Sequence, residues 1–390
     1  MENKNIPALR LLNHQLSGTE LTTPCQIVAH FGIMQAQDFN SATWAIGARL
    51  AGCTEKQILE TFDQGEILRT HVLRPTWHFV TPENIRWMLQ LSAKRIMQSM
   101  KSRDLELGLT EEIYTKCYRI IEKAFEKEDH ITREGIQQIL QDTGMKLDSS
   151  QMYHVLTSAE ANGILCSGAM SGKNQTYSLL EKRVPATKPL TKEESLAKLA
   201  RIYFTGHGPA TLHDFVWWSG LSVGEARQGL EAVQSEFVSE TVDGQKYWMP
   251  VRHCGLAYTL RSTHDPQPRR ARRSQSPNNQ CRFWEEVPRQ ARNDALLGRS
   301  CELHLLPAFD EYIVGYKDRT AVLTSENHQK AISSNGVFRP VVVQDGKVIG
   351  LWKKATSGKK IITLAPFEPI DQSTQKLIDA AADKLQAFYR

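Results

Sequence analysis

One order of short elements recurs along this chain, and the recurrence limits it to a string of small helical units, each closed by a hairpin. The clearest copy begins near Glu111, where Ile113, Cys117, Ile120, Ala124 and Phe125 mark one face of a helix. His130-Ile131-Thr132 reads as a short strand, and Ile136, Ile139 and Leu140 mark a second helix ending near Gly144. A third, from about Ser149, carries Met152, Val155, Leu156 and Ala159 on one side. Ile164-Leu165-Cys166 and Thr176-Tyr177-Ser178-Leu179-Leu180 then flank a Ser171-Gly172-Lys173-Asn174 turn, which predicts a hairpin.

Helix, short strand, helix, turn, helix, hairpin is the winged-helix order. It returns with Leu196, Leu199 and Tyr203 on a first helix and Gly208-Pro209-Ala210 in the strand position. Thr211 caps a helix with Leu212, Phe215 and Val216, and Ser222-x-x-Glu225 is a capping box opening the next. Phe237-Val238 and Tyr247-Trp248 flank an Asp243-Gly244 turn suited to a tight hairpin. Residues 1–100 fit an earlier copy whose wing is Ile67 to Val80. The copies share architecture and not residue spacing.

Arg183 to Pro189 reads as a linker, and His264 to Arg299 as a basic loop or disordered stretch carrying Arg269, Arg270, Arg272 and Arg273. From Glu302 strands follow closely: Leu303–Leu306, Tyr312–Val314, Val341–Val343 turning through Asp345-Gly346 into Val348–Trp352, and Lys359–Leu364. A last helix has Leu377, Ala380, Ala381 and Leu385 inward. The predicted fold class is mainly α with β: tandem winged-helix units followed by a small C-terminal β-barrel-like domain. The units span 1–105, 106–185 and 190–260, the basic segment 264–300, and the β-rich domain with its terminal helix 301–390.

The bulk composition excludes several classes. Lys+Arg exceed Asp+Glu by 48 to 43, so a polyanion partner must be argued from where the basic residues sit. No secretion signal or membrane-spanning run is present, which predicts a cytoplasmic protein with no membrane partner, nucleoid-associated when on DNA. Cys25, Cys53, Cys117, Cys166, Cys254, Cys281 and Cys301 form no CxxC pair and read as reduced thiols. His71 and His78 lack metal-ligand spacing, so neither metal nor cofactor is expected. With no dimerising coiled coil in the pattern, a monomer is expected.

Gln35-Ala36-Gln37 is the candidate site. Thr23 caps and Pro24 opens a helix with Ile27, Val28 and Phe31 on its apolar side, and Gly32 ends it. The next helix starts near Asn40 or Ser41, with Trp44, Ala45 and Ala48 inward. The glutamines fall in the connection, where extended backbone puts i and i+2 on one face. Two amides aimed alike can hold a water or a base edge; two glutamines in a turn can equally be solvated or bonded to nearby backbone. Asp38, the adjacent carboxylate, reads as a helix cap or a solvated residue.

This segment, the strand Leu73-Arg74-Pro75-Thr76-Trp77-His78-Phe79-Val80 and the stretch Leu306-Pro307-Ala308-Phe309-Asp310-Glu311-Tyr312 resemble the winged-helix DNA glycosylases related to AlkZ and YcaQ. The resemblance implies tandem winged helices, a C-terminal β-barrel and excision of N-alkylated purines from double-stranded DNA. Residues 35–37 match the Gln-apolar-Gln form of the AlkZ-like branch, whereas the YcaQ-like branch has Gln-apolar-Asp. A basic 264–299 segment is not part of the family pattern.

Glycosidases ordinarily use two carboxylates because a neutral leaving group must be protonated. A purine alkylated at N7 or N3 already carries positive charge and needs no strong acid. Gln35 and Gln37 are therefore the expected catalytic pair, positioning the attacking water and supporting an oxocarbenium-like state. No lysine sits in the motif, so a monofunctional reaction is expected. Strand alternation puts Arg74, Thr76 and His78 on one face as candidate DNA contacts, although His78 fits a hydrogen-bonded histidine beside the core equally well. Lys317, Arg319, Arg339, Lys353 and Lys354 could form a phosphate-binding rim or be plain solvated turn residues. Trp217-Trp218 could stack a base or belong to the core. The alternatives to the enzyme are a non-enzymatic winged-helix DNA-binding regulator, which would bind palindromic operators, and a DNA-bridging protein that releases no base.

Overall fold

The computed structural model describes residues 6–251, 302–355 and 361–390. The basic segment and Cys254, Cys281 and Cys301 lie outside the described residues, as do the first residues of the expected strand at Lys359. No helix among the described residues is long and apolar enough to cross a membrane.

Each of the three N-terminal regions runs helix, short strand position, helix, helix, hairpin. In the first, helices Pro24–Phe31, Phe39–Gly47 and Glu55–Asp63 accompany strands β1 (Ile33–Gln35), β2 (Leu68–His71) and β3 (Trp77–Val80), with β3 central. In the second, Glu111–Ala124, Arg133–Asp142 and Ser149–Ala161 surround a sheet in which Thr176–Leu179 lies between Ile131–Thr132 and Leu165–Ser167. In the third, helices Lys192–His207, Leu212–Ser219 and Val223–Val233 precede the hairpin Phe237–Val242 and Gln245–Pro250, and the strand position shrinks to one bridge from Ala210 to Trp248. Side-chain caps fix many of these starts: Thr23 with Gln26, Asp148 with Gln151, Thr211 with Asp214 and Ser222 with Glu225 form capping boxes.

The C-terminal part departs from the expectation in three ways. Its strands Leu303–Leu306, Val341–Gln344, Lys347–Lys354 and Ile362–Pro366 form an open sheet, with the first and last at opposite edges, so no closed barrel exists among the described residues. Four strands are too few to curl shut around side chains; the helix Gln372–Phe388 packs beside the sheet instead. Tyr312–Val314, expected as a strand, is part of a helical turn Glu311–Val314, because the Asp310 carboxylate accepts the Tyr312 N–H and starts the turn. The terminal helix buries Ile378, Ala382, Leu385 and Phe388, with Ala380 exposed. Its phase is set by Phe388, which lies so close over Gly47 that a Cβ there would sit 2.4 Å from the ring.

The cores cross the expected boundaries. One apolar cluster joins the first helices, including Ile27, Phe31 and Trp44, to Leu305, Val341 and Leu385. A second joins Leu68 and Val80 of the first sheet, and Val72 just past it, to Leu199, Tyr203 and Trp218 of the third region. Among the described residues the second region has an apolar cluster of its own, around Cys117, Ile136 and Val155. Arg49 seals the first of these joins: its Nη1 and Nη2 each donate to Asp310 at 2.8 Å, with neither side chain exposed. Asp310→Ala would leave that guanidinium buried and unpaired, and urea unfolding should register a loss of about 3–5 kcal/mol. Glu181→Ala, at the partly exposed pair with Arg86, should change stability by less than about 1 kcal/mol.

Candidate active site

Gly32 ends the first capped helix at φ 75°, a left-handed conformation that glycine accepts without a Cβ penalty, and turns the chain into β1. That strand pairs antiparallel with β3, setting Ile33 opposite Val80, Met34 opposite Phe79 and Gln35 opposite His78. The Ala36 N–H adds a bond to the Trp77 carbonyl at 2.8 Å. The expected connection between helices is thus a paired edge strand as far as Gln35, which keeps the backbone extended. Ala36 is fully buried, Gln35 retains 8% exposure, and Gln37 is exposed. Asp38 is spent on capping the next helix, accepting the Ser41 N–H at 3.1 Å.

Glu311 backs the strand end. This carboxylate, 1% exposed, accepts the Gln35 backbone N–H at 2.9 Å through Oε1. Its Oε2 lies 3.0 Å from Trp218 Nε1 and 3.2 Å from His207 Nε2. Residues from three distant stretches therefore meet on one buried carboxylate, whose two oxygens share three partners. On the side-chain end, Gln35 Oε1 accepts from Arg74 Nη2 at 3.3 Å, and the same nitrogen lies 3.1 Å from His78 Nε2. Thr76 Oγ1 is 3.5 Å from that ring nitrogen. Among the described residues no hydrogen bond joins Gln35 and Gln37 side chains.

Arg69 on β2 holds the motif from the other side. Its Nε donates to the Ala36 carbonyl at 2.9 Å and its Nη2 to the Gln37 carbonyl at 3.4 Å, while Nη1 reaches Gln175 Oε1. The guanidinium stacks 4.2 Å from the centre of Trp77, and burial pulls its pKa down to about 10. Neither Arg69 nor Glu311 stands out in the sequence as a site residue. Glu311 had one usable signal: Asp310-Glu311 interrupts an apolar run, and charges placed in a core need fixed partners.

The expected DNA contacts separate into two groups. Arg74 and Thr76 lie in the turn before β3 and not in a strand, and both meet His78 Nε2; His78 has no exposed surface and so faces the protein, whereas Arg74 is half-buried with Nη2 on Gln35 and His78. Arg319 is also withdrawn: it is 7% exposed, donates to the Ile313 and Lys317 carbonyls, and lies between Trp217 and Phe338. Lys317, Arg339, Lys353 and Lys354 are exposed. Lys317 lies 5.0 Å from the centre of the Trp217 ring, and Lys354 sits over Tyr389, where the charges of Glu55 and Asp38 reach it. Trp217 is 37% exposed with its Nε1 on the Val314 carbonyl, whereas Trp218 is core.

Burial lowers the pKa of His78 and of His207 below the ordinary 6.5, so the unfolded chain takes up protons at these residues before the folded protein does. Their contribution to stability is fully present above about pH 6.5 and is lost as the pH drops below it, by up to about 1.4 kcal/mol per pH unit for each such histidine. Urea midpoints measured between pH 7.5 and 5.5 should show this acid loss, and His78→Gln should reduce its slope.

Comparison with known proteins adds a shared family. A curated relative from Streptomyces sahachiroi, an interstrand DNA cross-link repair glycosylase, is 21% identical over 390 residues, covering 97% of this chain and 94% of the relative. The solved structure of Streptomyces sahachiroi DNA glycosylase AlkZ superposes with a TM-score of 0.75 at 19% identity, covering all of this chain and 96% of that one, and so shares its mixed α/β fold. The family model described as DNA glycosylase AlkZ-like matches residues 28–388. The chain therefore belongs to the AlkZ-like DNA glycosylases, enzymes that hydrolyse N-glycosyl bonds.

Proposed function

We propose that this chain is a monofunctional DNA glycosylase that releases cationic N-alkylated purines, such as N7-alkylguanine, from double-stranded DNA, with Gln35 and Gln37 directing the attacking water. Three winged-helix units carry the duplex, the first presenting the motif, and the protein acts as a monomer. The single observation behind this reading is that the carboxylates nearest the motif are already engaged. Both oxygens of Glu311 accept from Gln35, Trp218 and His207, and Asp38 caps a helix. What remains for catalysis is a pair of neutral amides, which are weak bases and no acids.

Such a site suits a leaving group that departs without being protonated. The C1′–N9 bond of an N7-alkylated guanine breaks with its electron pair moving onto the purine, whose positive charge is thereby neutralised. Water then needs only to be held at C1′ while charge builds on the sugar, and amide dipoles supply that stabilisation. An interstrand cross-link made through a purine N7 offers the same cationic leaving group, so the lesion class in the relative's name falls within this chemistry. Uncharged normal bases do not.

In single-turnover assays on duplexes with one N7-methylguanine, Gln35→Ala and Gln37→Ala should each slow base release on the order of 10²-fold, with the dissociation constant for DNA within about threefold. Wild-type rates in both variants would reject the pair as the catalytic groups. Release of free 7-methylguanine by the unmodified enzyme, with no lyase cleavage of the strand, tests the monofunctional assignment.

A further inference from the structure

A glutamine amide carries an acceptor at one end and donors at the other, and its outline does not say which end meets the substrate. At Gln35 the surroundings decide. A guanidinium only donates, so the atom that Arg74 Nη2 meets at 3.3 Å is the Gln35 carbonyl oxygen. The same nitrogen lies 3.1 Å from His78 Nε2, which must be the unprotonated, accepting ring nitrogen. His78 then carries its proton on Nδ1, an atom that is buried with no hydrogen-bond partner.

Arg74 is built into this position. Leu73 adopts φ 60°, the Arg74 N–H donates to the Val72 carbonyl at 2.7 Å, and the Thr76 N–H donates to the Arg74 carbonyl at 2.8 Å. Gly220, from the third region, closes on this turn: a Cβ there would stand 3.1 Å from the Leu73 oxygen and 3.4 Å from Arg74 Cγ. Arg74 Nε is buried without a partner and Nη2 meets its two acceptors, while the side chain as a whole is half-buried. The Gln35 amide nitrogen makes no hydrogen bond among the described residues, and it is absent from their buried unpartnered atoms; it therefore keeps contact with solvent.

We propose that Arg74, with neutral His78, is a positioning residue that locks the Gln35 carboxamide with its NH2 group outward, which leaves the Gln37 carbonyl as the acceptor for the attacking water. The assignment rests on the glycosylase reading and divides its labour. The water oxygen bonds to C1′ as the C1′–N9 pair leaves with the purine, the Gln37 carbonyl accepts a hydrogen bond from that water, and the resulting oxonium loses its surplus proton to bulk water. Gln35 donates to an oxygen of the DNA backbone beside the lesion.

The two glutamines should then respond in opposite ways to a carboxylate. Single-turnover excision of N7-methylguanine by Gln37→Glu, which keeps an acceptor, should be at least about 10-fold faster than by Gln35→Glu, which loses its outward donors and pairs with Arg74. Arg74→Met should slow excision on the order of 10-fold to 10²-fold with DNA affinity little changed. Long-range 15N–1H spectra of histidine-labelled full-length protein should show His78 with its proton on Nδ1, and this signature should be lost in Arg74→Met. A faster Gln35→Glu, a wild-type rate for Arg74→Met, or a proton on His78 Nε2 would overturn the assignment. Absence of base release by the unmodified protein would sink the glycosylase reading alone, because the tautomer still decides the orientation.

Discussion

The Glu311 carboxylate is the contact on which the architecture converges. It is supplied by the C-terminal part, it binds the backbone of the first region at Gln35, and it takes the Trp218 and His207 donors of the third. A charge this deeply buried is tolerable only when its lone pairs are filled, so the requirement works in both directions. The carboxylate draws three regions together, and they must arrive in register for it to be buried at all. Arg49 and Asp310, one residue away, complete the junction with a bidentate pair that has no solvent to fall back on. The motif strand is short, with three residues in β1, and would be weakly specified on its own. Held by β3 on one edge, by Glu311 behind and by Arg69 at the following carbonyls, it becomes a rigid platform.

How much of this was legible in the sequence depends on whether the signal was local. Helix starts were, because caps act over three residues: Thr211, Ser222 and Asp38 each begin the helix that their side chains announce. The third hairpin was, because Asp243-Gly244 adopts the positive φ values of a tight turn. The 25-residue helix Pro82–Glu106 was not. Its buried face mixes Asn84, Ser92 and Asp104 with Ile85, Met88 and Ile96, since it touches different partners along its length, and the apolar period is lost. The phase of the terminal helix was also missed, because Phe388 docking on Gly47 settles it from outside the helix. Tyr312–Val314 has the composition of a strand, but the preceding Asp310 decides for a turn of helix.

For the site, position was legible and environment was not. The sequence places Gln35 and Gln37 between two capped helices, and the structure has Gln35 at the end of a strand and Gln37 in the bend that follows it. The sequence holds no hint that His78 is buried or that Arg74 meets Gln35, because the alternation expected over residues 73–80 fails at 73–76, which form a turn. In this chain the third region covers it, through Gly220. Arg74 and Arg319, expected at DNA, and Arg69, which the sequence does not single out, serve here to hold carbonyl oxygens in place.

If the junction at Glu311 sets the chemistry, it does so through the residue whose main chain it binds. A double-mutant cycle of Gln35→Ala with Glu311→Gln, read as single-turnover release of N7-methylguanine, addresses this directly. Replacing one carboxylate oxygen by an NH2 group leaves a donor facing the donors of Trp218 or His207, or that of Gln35, and should disturb the strand end. The account predicts strong coupling, with Glu311→Gln costing far less once the Gln35 side chain is gone. Losses that simply add, as for two independent sites, would contradict it.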